Sequence, residues 1–502
     1  MNIRQFLDHY GISENPFSDE EASTDPIFKG YGIDHAFHPE WDKIYGTPAE
    51  PTTSVVFGEK GSGKTALRLQ MTRRLTEYNG NHPDSRVFVI PYDDFNPFID
   101  RFREKQSWFW RRNIQKTLQQ WKVWDHIDAI LSLGVTQLID RLLKVESSHL
   151  PAVPGMEELS VDKFSPAQKR DLLLLAMYYD QTSGEDRYHR WEKLRKLIKY
   201  GNFTSHIPPV AAIIWTVFAL FLPILCAALG IGGNQFGFYL HSIYWLFVSL
   251  GPLFYGIYFA LTWWKSRKIR RGLRTLEQNQ GELAKTLRSF PHRALYNQPI
   301  PLKDRSEDRY EMLTKFQSIL KTLGMPGIIV LLDRADEPYQ INGIPERMKA
   351  FLWPMLDNKL LKHPGIGFKM LLPGELYDFV RREDDDFRLR ARLDKQNLVT
   401  SFDWTGQALY DLANIRIHGS ISPAHLSEMG ENLPRLEDLF ENSITRDYLI
   451  HAFQSLKVPR RLFKFLYQNM ITHTKMYTDS NPKWTISQET FLSVMKDMQK
   501  IE

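Results

Sequence analysis

Eight consecutive residues, Gly58-Glu59-Lys60-Gly61-Ser62-Gly63-Lys64-Thr65, place glycines, a lysine and a threonine in the pattern G-x-x-x-x-G-K-T. Glycines there let the backbone turn tightly, so that its N–H groups converge on an anion. An ammonium at Lys64 suits the charge on β- and γ-phosphates, and the Thr65 hydroxyl suits a hard cation such as Mg²⁺. Thr53–Phe57 upstream reads as a short buried strand. Ala66–Leu75 downstream reads as a helix, with Leu67, Met71 and Leu75 at helical spacing. The N-terminus of that helix adds partial positive charge. In this context Gly58, Glu59, Lys60, Gly61, Ser62, Gly63, Lys64, Thr65 and Ala66 are expected to cradle a nucleoside triphosphate, ATP first among them.

A second chemical group lies far downstream. Gly327–Leu332 is a continuous apolar run, as a strand buried on both faces should be, and it ends in Asp333-Arg334-Ala335-Asp336-Glu337. A carboxylate at the C-terminal end of such a strand stands where open α/β sheets bind ligands. Asp333 is expected to hold Mg²⁺, through water, together with Thr65. Asp336 or Glu337 would polarise the attacking water, Glu337 being favoured. The histidines show no metal-binding spacing, and the single cysteine, Cys226, excludes an internal disulfide and a Cys/His zinc cluster.

These groups need elements to position them, and one long stretch reads as a membrane hairpin, the alternative being a buried helical hairpin of a large soluble core. From Tyr200 to Trp264 there is no Asp, Glu, Lys or Arg. Within it two apolar segments, at about 209–231 and 239–264, are each long enough to cross the hydrocarbon layer. Gly232-Gly233-Asn234-Gln235 reads as the turn between them. Trp263 and Trp264 suit the headgroup level. Arg187, Arg190, Lys193, Arg195, Lys196 and Lys199 precede the stretch; Lys265, Arg267, Lys268, Arg270, Arg271 and Arg274 follow it. Positive flanks stay inside, so both termini are expected in the cytoplasm and the turn outside, in a two-pass protein of the cell (inner) membrane. The polar start at Met1 carries no signal-peptide pattern.

Asp333-x-x-Asp336-Glu337 after an apolar strand resembles the Walker B motif of the STAND and NACHT branch of P-loop NTPases. A transmembrane helix pair between the glycine loop (Walker A) and Walker B resembles the KAP family of NTPases. Arg334 stands here where the usual KAP motif has a second adjacent acid. Asn15-Pro16-Phe17 is similar to the N-terminal linker of secretion-type AAA+ ATPases, which implies a place near adenine. Val458-Pro459-Arg460-Arg461 resembles the AAA+ sensor-2 helix, implying that Arg460 or Arg461 approaches the γ-phosphate. Gly367–Leu372 is a further core strand, ending in Pro373-Gly374-Glu375 rather than in a polar sensor residue. The arginines from Arg381 to Arg392 are read mainly as partners of Glu383–Asp386 on a solvated face.

The expected architecture is α/β: a P-loop NTPase parallel sheet of AAA+/STAND type, with an inserted two-helix transmembrane hairpin and a C-terminal helical lid. Its parts are residues 1–205 (loop half with a helical insertion), 206–264 (hairpin), 265–400 (acidic-motif half) and 401–502 (lid). Val87–Ile90 is a further strand; Trp108–Val145, Ser165–Tyr200 and Gly272–Arg288 read as helices. Trp108, Trp110, Trp121 and Trp124 are taken as helix-packing residues. The net charge of +5 over 502 residues gives no case for nucleic acid. The expected function is ATP hydrolysis coupled to conformational change or assembly. A slowly hydrolysing signalling or defence switch and a scaffold with a structural ATP site are the alternatives. Expected partners are ATP, the bilayer and, for any pore, further copies of the chain.

Overall fold

A computed structural model describes residues 1–145, 159, 161–182, 186–201, 207–228, 242–290, 298, 301, 305–356, 359–391, 393, 397–422, 425–426 and 433–500. The chain divides into two compact units, one built from Met1–Phe95 and Gly327–Glu502, the other from Asn96–Pro151 and Met156–Pro326. The division differs from one drawn on motif positions: the helices on either side of the apolar stretch group with it rather than with the sheet.

The first unit is α/β. Its five strands are β1 (Ser54–Gly58), β2 (Val87–Tyr92), β3 (Gly327–Leu332), β4 (Ile366–Pro373) and β5 (Leu398–Val399). They pair in parallel in the order β2-β3-β4-β1-β5. β4 separates the strand that carries the glycine loop from the strand that carries the acids. The apolar runs in β1, β3 and β4 are buried along their whole length, as strands covered on both faces must be. Leu67, Met71 and Leu75 of the helix Lys64–Asn81 pack on one face with Val56, Ile329, Leu331 and Leu371. On the other face Phe57 meets Tyr377, and Phe95 meets Phe351 of the helix Pro345–Leu356. Beyond Phe402 the helices Gly406–Gly419, Arg446–Phe453, Pro459–Met476 and Gln488–Lys500 form a separate apolar core, which also takes in Phe6, Leu7, Ile12 and Phe17.

The second unit is helical among the described residues. Trp108–Val145 holds three helices, Trp108–Arg111, Ile114–Gln119 and Val123–Leu142. The Asn113 carboxamide accepts from Lys116 N at 3.0 Å and restarts the chain, because a helix-starting side chain competes with the interior backbone bond. Ser165–Tyr200 likewise divides into Pro166–Tyr179 and Arg187–Leu197. The reading of Gly272–Arg288 as one charged helix needs correction. Lys265–Arg271 ride on the apolar helix Ser242–Gly272 itself, and a new helix starts at Gln280 with Asn279 as its cap. Trp121 is fully buried, but Trp108 and Trp110 are 58% and 38% exposed, so the packing role fails for those two.

Ile207–Ala228 and Ser242–Gly272 lie antiparallel: Gly251 faces Ala212, Trp215 and Thr216, while the Tyr244 hydroxyl reaches Leu220 O. A Cβ on Gly251 would stand 2.6 Å from Thr216 Oγ1, so only glycine permits this approach. Their outer faces, with Ile213, Phe221, Leu246 and Leu253, are exposed. Tyr244–Gly272 is long and apolar enough to cross a membrane, and Val210–Leu222 is a shorter apolar helix. The turn Gly232–Gln235 lies outside the described residues. At the lower end of the longer helix, Arg309 Nη2 donates to Gly272 O at 2.6 Å and Lys105 Nζ to Leu273 O at 2.7 Å and to Leu276 O. Arg309 also pairs with fully buried Asp128, which accepts from Tyr179 Oη, so that neither buried charge is left without a partner.

Candidate functional site

β1 ends at Gly58, the loop crosses the C-terminal edge of the sheet, and the helix starts at Lys64. Gly61 and Gly63 have φ of +89° and +96°, the left-handed region that lets the loop curl with its N–H groups inward. Lys64 Nζ donates to Gly58 O at 2.6 Å and to Glu59 O at 2.9 Å. Burial holds its ammonium below the usual range, while Asp336, then Asp333 and Glu375, pull it upward.

The acids arrive on β3. Asp333 is 2% exposed, and its Oδ2 accepts from Thr65 Oγ1 at 3.2 Å. Burial raises its pKa against the opposing pull of Arg68, the Arg334 N–H, the Arg334 charge and Thr65. Arg68 Nε lies 3.3 Å from the same oxygen, and its other end pairs with Asp93. The Thr65 hydroxyl and the Asp333 carboxylate, brought together here, are the oxygens that could hold a hard cation, Asp333 through water. Among the described residues no group of three or more His, Cys, Asp or Glu side chains converges as a metal cage. A cation at Thr65 and Asp333 would therefore fill its sphere with phosphate and water, as Mg²⁺ characteristically does.

Arg334 takes φ of +61°, which turns the chain sharply after Asp333. Asp336 then lies where its charge is the strongest carboxylate influence on Lys64. The Glu337 side chain is 60% exposed and lies 3.6 Å from Arg334. Its pKa is raised by partial burial, with Arg334 opposing and Asp336 and Asp333 adding to the rise. Asp336 thus acts on Lys64 of the loop, and Glu337 lies within the field of Lys60 of the same loop.

Val458 and Pro459 begin the helix Pro459–Met476, with proline in its first turn. Arg460 N donates to Gly61 O at 3.3 Å, and its side-chain stem lies where a Cβ on Gly61 would fall, 2.6 Å from Arg460 Cβ. Arg460 pairs with Glu20 at 3.1 Å and Arg461 with Glu59 at 3.3 Å. The Asn15–Phe17 segment packs on the helix Pro459–Met476, whose first turn meets the loop. Phe17 is buried against Phe463, and Pro16 O accepts from Arg416, itself paired with buried Asp25. In the later arginine run Arg388 pairs with Asp385, whereas Glu383 is taken by Lys349 and the Trp353 N–H.

Three site residues escaped the sequence reading. Trp404 Nε1 donates to Ser62 O at 2.9 Å, a bond spanning 342 positions. Phe402 N donates to Phe57 O at 2.8 Å and so fastens the same segment to β1. His38 stacks on Phe402 at 3.8 Å between centroids, accepts from Glu40 N at Nδ1 and reaches Asp403 O with Nε2. These bonds fit a neutral ring protonated at Nε2, and burial lowers its pKa to about 4. The folded state then binds fewer protons than the unfolded one between about pH 4 and pH 6.5. The stability contributed by neutral His38 is complete above that window and is lost as the pH falls through it. The thermal midpoint of the solubilised protein should fall on acidification from pH 7 to 5, and His38→Gln should lessen that fall, by up to about 2 kcal/mol. Equal falls in both proteins would rule His38 out as the titrating group.

No family model, curated protein or solved structure matches this chain.

Proposed function

We propose that this chain is a Mg²⁺-dependent nucleoside triphosphatase with ATP as substrate, fastened by its two apolar helices to the inner membrane with the nucleotide unit on the cytoplasmic face. The observation that carries the reading is the 3.2 Å hydrogen bond from Thr65 to Asp333, which joins two motifs 268 positions apart at the C-terminal edge of one parallel sheet. The sheet order, with its switch point beside β1, supports a P-loop domain of AAA+/STAND type with an inserted membrane hairpin and a helical lid.

In this reading the loop N–H groups and Lys64 hold and orient the β- and γ-phosphates. Mg²⁺ at Thr65 and Asp333 would neutralise charge on the phosphate oxygens. Asp336, the less exposed of the two acids, polarises the attacking water, with Glu337 as the alternative. Arg460, released from Glu20, offsets charge on the γ-phosphate. Mg²⁺-dependent phosphate release by the purified protein in lipid nanodiscs tests this; bound ATP without turnover would leave the switch. That second reading, slow hydrolysis gated by assembly, is favoured by the pairing of Arg460 with Glu20 and of Arg461 with Glu59, which holds both arginines on carboxylates.

Orientation follows from the positive flanks. In a Cys226→Ala background, Asn234→Cys should react with an impermeant thiol reagent added outside intact cells, and Lys500→Cys should not. The opposite pattern would invert the topology.

A further inference from the structure

We propose that the segment Trp108–Arg112 docks on the anionic headgroups of the leaflet from which the helix Ser242–Gly272 emerges, giving the second unit a surface contact with the bilayer besides its apolar helices. This rests on the membrane part of the function proposed above.

The first observation is chemical. Between Glu104 and Asp125 the chain has no acid but carries Lys105, Arg111, Arg112, Lys116 and Lys122. Trp108 and Trp110 are both exposed, and the Arg112 guanidinium lies 3.9 Å above the Trp108 ring. A soluble surface seldom displays two neighbouring tryptophans, whereas an indole with a cation beside it suits the boundary between headgroup and acyl chain. The same pairing recurs on the apolar helix, with Arg267 over Trp263 and Lys268 over Trp264.

The second observation is position. Lys105 Nζ donates to Leu273 O, and Arg274 lies over Phe102, so the end of the helix Asn96–Lys105 sits beside the lower end of Ser242–Gly272. Trp108 follows three residues later, within about 11 Å of chain. Arg111 is folded back on that chain by bonds to Glu104 O and Gln106 O. Along the apolar helix, Trp264 to Arg270 is six residues, roughly 9 Å of rise. The headgroup layer of one leaflet is about 5–8 Å thick. With Trp263 and Trp264 at the hydrocarbon edge, Arg270 and Arg271 fall at the outer side of the headgroups, the level at which the Trp108 segment begins. Exposed Lys265, Arg267, Lys268, Arg270 and Arg271 continue the same positive surface. Charge complementarity therefore selects an anionic lipid surface over a neutral one, each cation near the surface adding about 1 kcal/mol, close to fivefold in occupancy.

The test uses the full chain with Cys226→Ala in nanodiscs, carrying one environment-sensitive fluorophore at Ser107→Cys or at Leu253→Cys. The bilayers are phosphatidylcholine alone or with phosphatidylglycerol, and they carry lipids brominated near the headgroup or deep in the chain. The label at 253 should be quenched by deep bromines in both bilayers. The label at 107 should be quenched by shallow bromines at least twofold more strongly with phosphatidylglycerol. Arg112→Glu with Trp110→Ser should remove that difference and leave the 253 signal unchanged. Quenching at 253 with none at 107 overturns the proposal, as does equal quenching at 107 in both bilayers. Protection of the 107 label by duplex DNA in place of anionic lipid also overturns it. A label at 253 that deep bromines never reach instead overturns the membrane reading itself.

Discussion

Lys64→Ala should lower ATP affinity by about 100-fold, measured by titration of a fluorescent ATP analogue. The replacement removes a buried ammonium within the field of Asp336, Asp333 and Glu375. With the cation gone, the phosphate oxygens would face those carboxylates with only backbone N–H groups opposite them. A charge-assisted contact of this kind contributes roughly 1.5–3 kcal/mol, which is 10- to 100-fold, and the unscreened acids add to the loss. The loop should survive the change, since Gly61, Trp404 and Arg460 fix its path independently of the lysine. Unchanged affinity in a folded Lys64→Ala protein would sink the nucleotide assignment.

The second large effect separates the two acids. Asp336→Asn should reduce turnover by about 100-fold or more while ATP still binds, because an amide cannot polarise water as a carboxylate does. Glu337→Gln should change turnover by roughly threefold at most, since its side chain is exposed and lies near Arg334. Steady-state phosphate release and ATP binding, measured on both variants, decide the matter. A large loss in Glu337→Gln with a small one in Asp336→Asn would return the role to the acid that the motif comparison favoured.

The contrast between those two acids shows what the sequence could carry. Motif spacing marked the loop, β3 and the start of the helix Lys64–Asn81 to within a few residues, because a buried strand and a glycine turn leave local signatures. It could not rank Asp336 against Glu337, since the rank depends on how Arg334, at positive φ, turns the chain after the strand. Trp404 and His38 were illegible for a different reason. Their roles lie in contacts with Ser62 O and Asp403 O, and nothing near either residue in the chain records those partners. Arg460 was legible as a type of residue in a type of helix; its backbone N–H meets Gly61 O, while its guanidinium pairs with Glu20. Phe17 could be read two ways, because an aromatic beside a proline serves a ligand or a core equally well; it packs in the core of the C-terminal helices. The tryptophans after Ser107 were misread because helical spacing alone cannot distinguish an inward from an outward face.

The outer strands of the sheet have a consequence for how copies of the chain can meet. Among the described residues β2 and β5 are outermost. β2 carries Pro91, which has no N–H to offer an incoming strand, and β5 is two residues long. In the membrane reading proposed above, copies move in two dimensions at high local concentration, where an accommodating strand edge would recruit its neighbours into continuous sheets. An edge interrupted by proline and an edge almost too short to pair both resist that aggregation. Any ordered assembly of this chain is therefore directed to its helical faces, and its cross-β tendency should be low even when crowded.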